Sequence, residues 1–130
     1  MPLTRLSLWS HGIKARLNLI FLQDRLLLLL FLFALVLNCV LYLVLYLLVK
    51  PSADPLVLHY SVYFGIDLIG SWYSLYLTPA VGTFLWLVNV VLALVFYQEQ
   101  RLAAYLLGGV TALMTALLLL GGSLLVWINL

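Results

Sequence analysis

Long apolar runs separated by short polar breaks dominate the chain. The first run covers residues 26–49 and contains no Asp, Glu, Lys, Arg or His. A second run ends near Tyr97, and a third covers residues 102–127. Because about 20 helical residues cross the ~30 Å hydrocarbon core of a bilayer, these runs are long enough to span it. The pattern predicts an all-α membrane protein with three transmembrane helices.

Proline and polar residues set the boundaries of the predicted spans. Pro51 ends the first span, because a proline ring clashes with the preceding helical turn. Pro79 suits the first position of a helix, so the second span starts there, after a short interfacial helical piece at 72–77. Ser71, as the cap of a longer helix, is the alternative. The chain is predicted to form a single membrane domain, 1–130. It consists of an amphipathic segment at 1–23, a span at 26–49, an outer loop at 50–78, and spans at 79–97 and 102–127. The last two spans form a tight helical hairpin.

The first 23 residues are too polar to span a bilayer. Their apolar residues recur at helical spacing, and most of their basic and amide side chains lie elsewhere around the helix. A helix of this type lies on a membrane surface with its cations near anionic head groups. We therefore predict an interfacial amphipathic helix on the cytoplasmic side, and a basic tail that only orients insertion is the alternative.

Basic residues are distributed unevenly between the two sides of the predicted spans. Lys50 lies alone on the side of the 50–78 loop. The other side carries Arg5, Lys14, Arg16, Arg25 and Arg101. By the positive-inside rule, the N-terminus is cytoplasmic, and the loop and the C-terminus are outside. We expect a multi-pass protein of the cytoplasmic (inner) membrane whose first span, too long for a cleaved signal, is retained as a signal-anchor.

Composition points to lipid as the main partner. Hydrophobic residues make up 67% of the chain, against roughly 45–50% in soluble domains, and charged residues only 8%. The single Cys39 permits neither an internal disulfide nor a C-x-x-C metal site. Phosphate-binding glycine loops, zinc-protease motifs and basic nucleic-acid-binding patches do not occur in the sequence. We therefore expect no enzymatic activity, no cofactor or metal, and no nucleic-acid partner.

The loop between the first two spans is the most distinctive segment. Residues 57–64 are rich in β-branched and aromatic residues, which predicts a strand that Gly65 ends with a turn. One strand is not stable alone, so it should pack on the helix ends or pair with another segment or chain. His59 and Asp67 are the titratable side chains in the middle of the segment. The favoured interpretation is hydrogen bonding within the loop, and a ligand-binding or pH-responsive site is the alternative. The candidate site residues are His59, Asp67, Tyr60, Tyr63 and Trp72.

The order of residues in this region resembles a known family. The motif consists of Pro55, His59-Tyr60-Ser61, Gly65-x-Asp67, Gly70 and Pro79. It is similar to the domain of unknown function numbered 1648, which occurs in bacterial membrane proteins including immunity proteins against the Sdp-type toxin. The resemblance covers about residues 51–97. It implies a similar fold in this segment, with the family's His, Gly and Asp positions at His59, Gly65 and Asp67.

Polar residues within the spans indicate how the helices pack. Asn38, Asn89 and Thr111 lie at similar predicted depths, so we expect them to face one another. Adhesion between helices is one interpretation, and a hydrophilic pathway is the other.

The third span also carries a stripe of small residues at steps of four. Such a stripe lets another helix approach closely. Internal packing and self-association are equally compatible with it. The stripe consists of Ala104, Gly108, Ala112 and Ala116.

Two functions are compatible with these features. The first is a non-enzymatic binding, sensing or accessory role through the outer loop. The alternative is a structural subunit of a larger membrane complex that docks through the small-residue stripe. Both require the lipid bilayer, and both allow a second copy or another membrane protein as partner.

The orientation is testable with a tag fused after Leu130. Because the basic residues place the N-terminus in the cytosol and three spans follow, we expect the tag to be accessible from outside intact cells. Protease protection or antibody labelling before and after permeabilisation measures this. A tag accessible only from the cytosol would contradict the predicted orientation.

Overall fold

The computed structural model describes residues 24–130. It is mostly helical, with one small antiparallel sheet. The predicted amphipathic helix at 1–23 lies outside the described residues. In chain order the elements are α1 (Arg25–Leu48), β1 (Leu56–Ser61), β2 (Gly65–Gly70), a 3-10 helix (Trp72–Tyr76), α2 (Leu77–Phe96) and α3 (Arg101–Ile128).

Three helical segments are long and apolar enough to cross a membrane. They are α1, the 3-10 helix continued by α2 (Trp72–Phe96), and α3. Large apolar side chains on all three helices are exposed on the surface of the bundle, as lipid-facing positions would be. These features support a multi-pass membrane protein. The predicted spans agree with the helices to within one or two residues at each end.

The start of α2 differs from the predicted boundary. The helix begins at Leu77, after Tyr76 as the N-cap, so Pro79 is the third helical residue rather than the first. Pro79 is tolerated there because the first four N–H groups of a helix have no partner within the helix. The 3-10 helix therefore continues directly into α2.

Helices α1 and α3 run in the same direction and pack in a constant register. Leu27 lies against Gly108, and Leu41 lies against Gly122. In both pairs the partners are 81 residues apart, as are Asp24 and Tyr105 at the start of the two helices. Because Leu27 and Leu41 are two heptads apart, the constant offset is typical of a left-handed helix pair. Gly122 is required for this approach, since a Cβ there would lie 2.6 Å from Cδ1 of Leu41.

The small-residue stripe of α3 faces the inside of the bundle. Ala104, Gly108 and Ala112 are buried, and Ala116 is partly buried. A Cβ on Gly108 would meet the side chains of Leu27 and Leu30 at 3.2 and 3.3 Å. Internal packing therefore accounts for the buried part of the stripe.

Two apolar clusters fill the bundle, one at each end. The cluster at the end where α1 begins, which we call the Asp24 end, consists of Leu27, Phe31, Ala93, Tyr97 and Ala104. The cluster at the opposite end, beneath the sheet and here called the hairpin end, consists of Leu41, Leu45, Val49, Leu75 and Val126.

Buried polar side chains connect the helices between these clusters. Asn38 of α1 donates hydrogen bonds to Oγ1 of Thr83 at 2.8 Å and to the carbonyl of Pro79 at 3.2 Å. Asn89 donates to Oγ1 of Thr111 at 2.8 Å. The predicted meeting of all three polar residues is therefore wrong for Asn38. Since α2 runs antiparallel to α1, the depth of Asn38 corresponds to the first turns of α2, where Thr83 lies.

The loop predicted as one strand is an antiparallel hairpin, so the fold is not purely α-helical. Strand β2 pairs with β1 from Leu56 opposite Gly70 to Ser61 opposite Gly65. Gly65 has φ +72°, a left-handed conformation that favours glycine, and it starts β2 after the turn. The predicted strand thus finds its partner in the residues that directly follow it.

Gly82 provides a test of the contact between α1 and α2. Oδ1 of Asn38 accepts no hydrogen bond within residues 24–130, and a Cβ on Gly82 would lie 2.5 Å from it. We expect Gly82→Ala to displace the Asn38 amide from Thr83 and to lower the free energy of unfolding by about 1–3 kcal/mol. Unfolding in one detergent, followed by circular dichroism, measures the change.

Gly121→Ala is the matched control, because nothing lies within 4 Å of a Cβ at that position. It should leave stability unchanged or raise it slightly, since Ala favours a helix over Gly. Equal effects of the two substitutions would contradict the proposed contact.

Candidate functional site

The hairpin is fixed to the end of α3 by Asn129. Oδ1 of Asn129 accepts a hydrogen bond from the N–H of Val57 at 2.8 Å, and its Nδ2 donates to the Val57 carbonyl at 2.9 Å. The same Nδ2 donates to the carbonyl of Leu125 at 2.8 Å, so the amide also closes the last turn of α3. One side chain thus acts as a strand partner for β1 and anchors the hairpin to the bundle.

Apolar contacts hold the inner face of the hairpin against the helix ends. Leu56 and Leu58 of β1 pack on the apolar cluster at the hairpin end, which includes Leu75 and Val126. Gly70 leaves the space for this, because a Cβ there would lie 2.6 Å from Cδ1 of Leu58. The hairpin is therefore a positioned part of the fold rather than a free loop.

His59 and Asp67 form a pair across the hairpin. Nδ1 of His59 lies 2.6 Å from Oδ1 of Asp67, and the two side chains are 62% and 39% exposed. Register shifts around His59 leave Leu58 and Asp67 without opposite residues, which brings the two polar side chains together. An exposed pair of this kind contributes little to stability. The hydrogen bond within the loop, which the sequence analysis favours, is thus present.

A metal site and a Ser-His-Asp arrangement would each need further polar side chains beside this pair. Within residues 24–130, no three His, Cys, Asp or Glu side chains lie close enough together to hold a metal ion. Ser61 uses its Oγ within the turn, where it accepts hydrogen bonds from the N–H groups of Tyr63 and Phe64 at 3.2 and 3.4 Å.

Large apolar side chains are exposed at the tip of the hairpin. Val62, Tyr63 and Phe64 in the turn are 88%, 93% and 84% exposed. Tyr60, Ile66 and Leu68 on the strands below them are also exposed. We call these six residues the apolar tip. Two of the predicted site residues, Tyr60 and Tyr63, belong to it, and the His59–Asp67 pair lies on the same two strands.

The fifth predicted site residue, Trp72, lies in a different place. It lines an open groove of about 490 Å³ between the end of α1 and the 3-10 helix. Its ring is nearly perpendicular to those of Tyr73 and Tyr76, with centroids 5.9 and 6.3 Å away. We call this feature the aromatic groove. Its lining consists of Tyr46, Val49, Pro51, Trp72, Tyr73 and Tyr76.

A buried polar cluster, which the sequence analysis did not identify, lies at the Asp24 end. Asp24 is 8% exposed and accepts hydrogen bonds from the Tyr97 hydroxyl at 2.9 Å, the Tyr105 hydroxyl, and the N–H of Leu27 at 3.2 Å. The carboxylate thus joins the start of α1, the end of α2 and the start of α3. Its position just before an apolar run is a typical N-cap signal, but the tyrosine partners have no local signal in the sequence.

The surroundings of Asp24 favour its charged form. Burial alone would raise the pKa of this carboxyl. The hydrogen bonds from Tyr105, Leu27 and Tyr97 and the nearby Arg101 outweigh burial, so its pKa lies below the usual value. Burial and the hydrogen bond to Asp24 raise the pKa of the Tyr97 phenol. The Arg101 guanidinium also lies over the Tyr97 ring, 5.3 Å from its centroid.

Comparison with known proteins finds no matching family model, no matching curated protein and no matching solved structure. The resemblance of residues 51–97 to the domain numbered 1648 therefore stays a prediction.

The Asp24 cluster predicts a specific dependence of stability on pH. The pKa of Asp24 is lower in the folded than in the unfolded chain. The Asp24 carboxylate therefore contributes its full stabilisation to the free energy of unfolding at pH values above the unfolded pKa of about 3.9. That contribution is lost as the pH falls through the lower, folded value. Asp24→Asn removes the charge from buried hydrogen bonds and should cost about 1.5–3 kcal/mol at neutral pH.

Thermal unfolding in detergent at a series of pH values measures this difference. We expect the gap between wild type and Asp24→Asn to close at acidic pH, while the exposed Asp54→Asn control follows the wild type throughout. A gap that does not change with pH would show that the charge of Asp24 has no part in stability.

Proposed function

We propose that this chain is a small, multi-pass, non-enzymatic membrane protein whose hairpin binds an apolar segment of another protein. The observation that carries the proposal is the apolar tip, presented on a hairpin that is fixed to the helix ends. A contiguous exposed apolar surface is typical of an interaction site. Since Asn129 and the apolar cluster beneath it already order the hairpin, binding costs less conformational entropy than folding of a free loop.

The proposed orientation places this tip outside the cytoplasm. Arg25 and Arg101 lie at the Asp24 end of the bundle, whereas Lys50 lies at the hairpin end. The positive-inside rule then assigns the Asp24 end to the cytoplasm. The proposed location is the cytoplasmic (inner) membrane. The hairpin would meet partners at the outer surface of that membrane.

The His59–Asp67 pair favours a specific contact over a purely hydrophobic one. Exposed polar groups beside an apolar centre form the rim of a typical interface, where they fix orientation. In the proposed resemblance to the domain numbered 1648, these are also motif positions, and their contact gives them a shared structural role.

The alternative proposal, a subunit that docks through the stripe on α3, has less support. Ala104, Gly108 and Ala112 of the stripe are buried inside the bundle. A second helix could reach them only by displacing α1, whose Leu27 and Leu30 lie against Gly108. A partner on the hairpin needs no such rearrangement.

Photo-crosslinking in native membranes tests the proposed role. The variant Tyr63→p-benzoylphenylalanine places a reactive group at the tip, where we expect discrete protein adducts after irradiation. Val110→p-benzoylphenylalanine is the control, because Val110 is exposed on α3, about a third of the way along the helix, and should react with lipid. Gel mobility and mass spectrometry distinguish the two kinds of adduct.

The double substitution His59→Ala with Asp67→Ala, made in the Tyr63 variant, should reduce the yield of the protein adduct several-fold. An unchanged yield would show that the His59–Asp67 pair does not contribute to binding. If Tyr63 gives only lipid adducts, as Val110 does, the hairpin does not bind a protein.

A further inference from the structure

The aromatic groove lies where a span ends. Tyr46 belongs to the last turns of α1, and Val49 directly follows that helix. Trp72, Tyr73 and Tyr76 belong to the 3-10 helix that leads into α2. In a bilayer, this level is the boundary between acyl chains and head groups, where Trp and Tyr are enriched. The groove is therefore at the head-group level of the leaflet on the hairpin side.

The lining offers aromatic faces rather than aliphatic side chains. Four of its six residues are Tyr or Trp. Aromatic residues arranged around a cavity attract ammonium groups through the negative faces of their rings. The end of α1 adds to this attraction, because the C-terminus of a helix carries a partial negative charge. The groove thus favours a cationic group.

A basic residue adjoins the groove lining in the chain. Lys50 is exposed and lies in the chain between Val49 and Pro51, which both line the groove. It is the only Lys or Arg at this end of the bundle within residues 24–130, since Arg25 and Arg101 lie at the other end. An aromatic pocket for a cation next to a basic side chain matches a head group that carries both an ammonium and a phosphate.

We infer that the aromatic groove binds the head group of an amine-bearing phospholipid, with the ammonium against the rings and the phosphate beside Lys50. The volume of about 490 Å³ is within the usual range of small-ligand sites, roughly 300–1,000 Å³. This site is separate from the apolar tip, so it is independent of the proposed protein partner. The ligand chemistry is that of phosphatidylethanolamine or phosphatidylcholine, as opposed to a phospholipid without an amine.

Native mass spectrometry of the whole protein in mild detergent tests the inference. The probes are dioleoyl phosphatidylethanolamine and dioleoyl phosphatidylglycerol, which have the same acyl chains and differ in the amine. We expect the first to bind more tightly. Equal affinity of the two lipids would overturn the inference, because acyl-chain contact alone would then explain binding.

Substitutions in the groove distinguish a head-group site from a nonspecific hydrophobic surface. Tyr46 and Tyr73 are largely exposed, so Tyr46→Leu and Tyr73→Leu remove an aromatic face without disturbing the core. Each should weaken binding of phosphatidylethanolamine roughly two- to fivefold and leave phosphatidylglycerol unchanged. Phe33→Leu, at an exposed aromatic position of α1 outside the groove, is the matched control and should change neither.

Lys50→Gln provides a second, independent measurement. It should weaken binding of both lipids, because both contain the phosphate. Tyr→Leu variants that bind phosphatidylethanolamine like the control, or a Lys50→Gln variant that binds both lipids normally, would contradict the inferred arrangement.

Discussion

Polar groups inside a helix bundle that faces lipid must find hydrogen-bond partners within the protein, because hydrocarbon offers none. This constraint decides how the three helices fit together. Apolar contacts alone do not select a register, since lipid tails are as apolar as Leu side chains. The bond from Asn38 to Thr83, that from Asn89 to Thr111, and the indole N–H of Trp86 donating to the Phe31 carbonyl at 2.8 Å each fit one relative position of two helices. Such bonds average only about 0.6 kcal/mol, so their main effect is on specificity.

The register set at the Asp24 end extends to the hairpin. Asp24 connects all three helices at one end, and the glycine contacts of α3 continue the same offset between α1 and α3 as far as Gly122. About two turns further, at the C-terminal cap of α3, Asn129 binds the backbone of β1. The position of the hairpin therefore depends on the helix packing beneath it. A change in the packing of the helices would therefore move the apolar tip.

The helices could be predicted from the sequence because span length follows directly from the length of an apolar run. The second strand could not, because Ile66-Asp67-Leu68-Ile69 lacks a clear alternation of apolar and polar residues, and the register shift places Asp67 opposite no residue. The Asp24 cluster was missed for another reason. A carboxylate next to Arg25 has the pattern of an ordinary polar flank, and its tyrosine partners are more than 70 residues away.

The size of the apolar tip limits the kind of partner that the proposed function allows. Burying Val62, Tyr63 and Phe64 would gain about 1.5–3 kcal/mol for each side chain. Association in solution costs an estimated 4–15 kcal/mol, so this tip alone would bind a soluble partner weakly. A partner held in the same membrane has already lost much of its translational and rotational freedom, and its effective concentration near the hairpin is high. The proposed partner is therefore another membrane protein, or a peptide that reaches the hairpin through the bilayer surface.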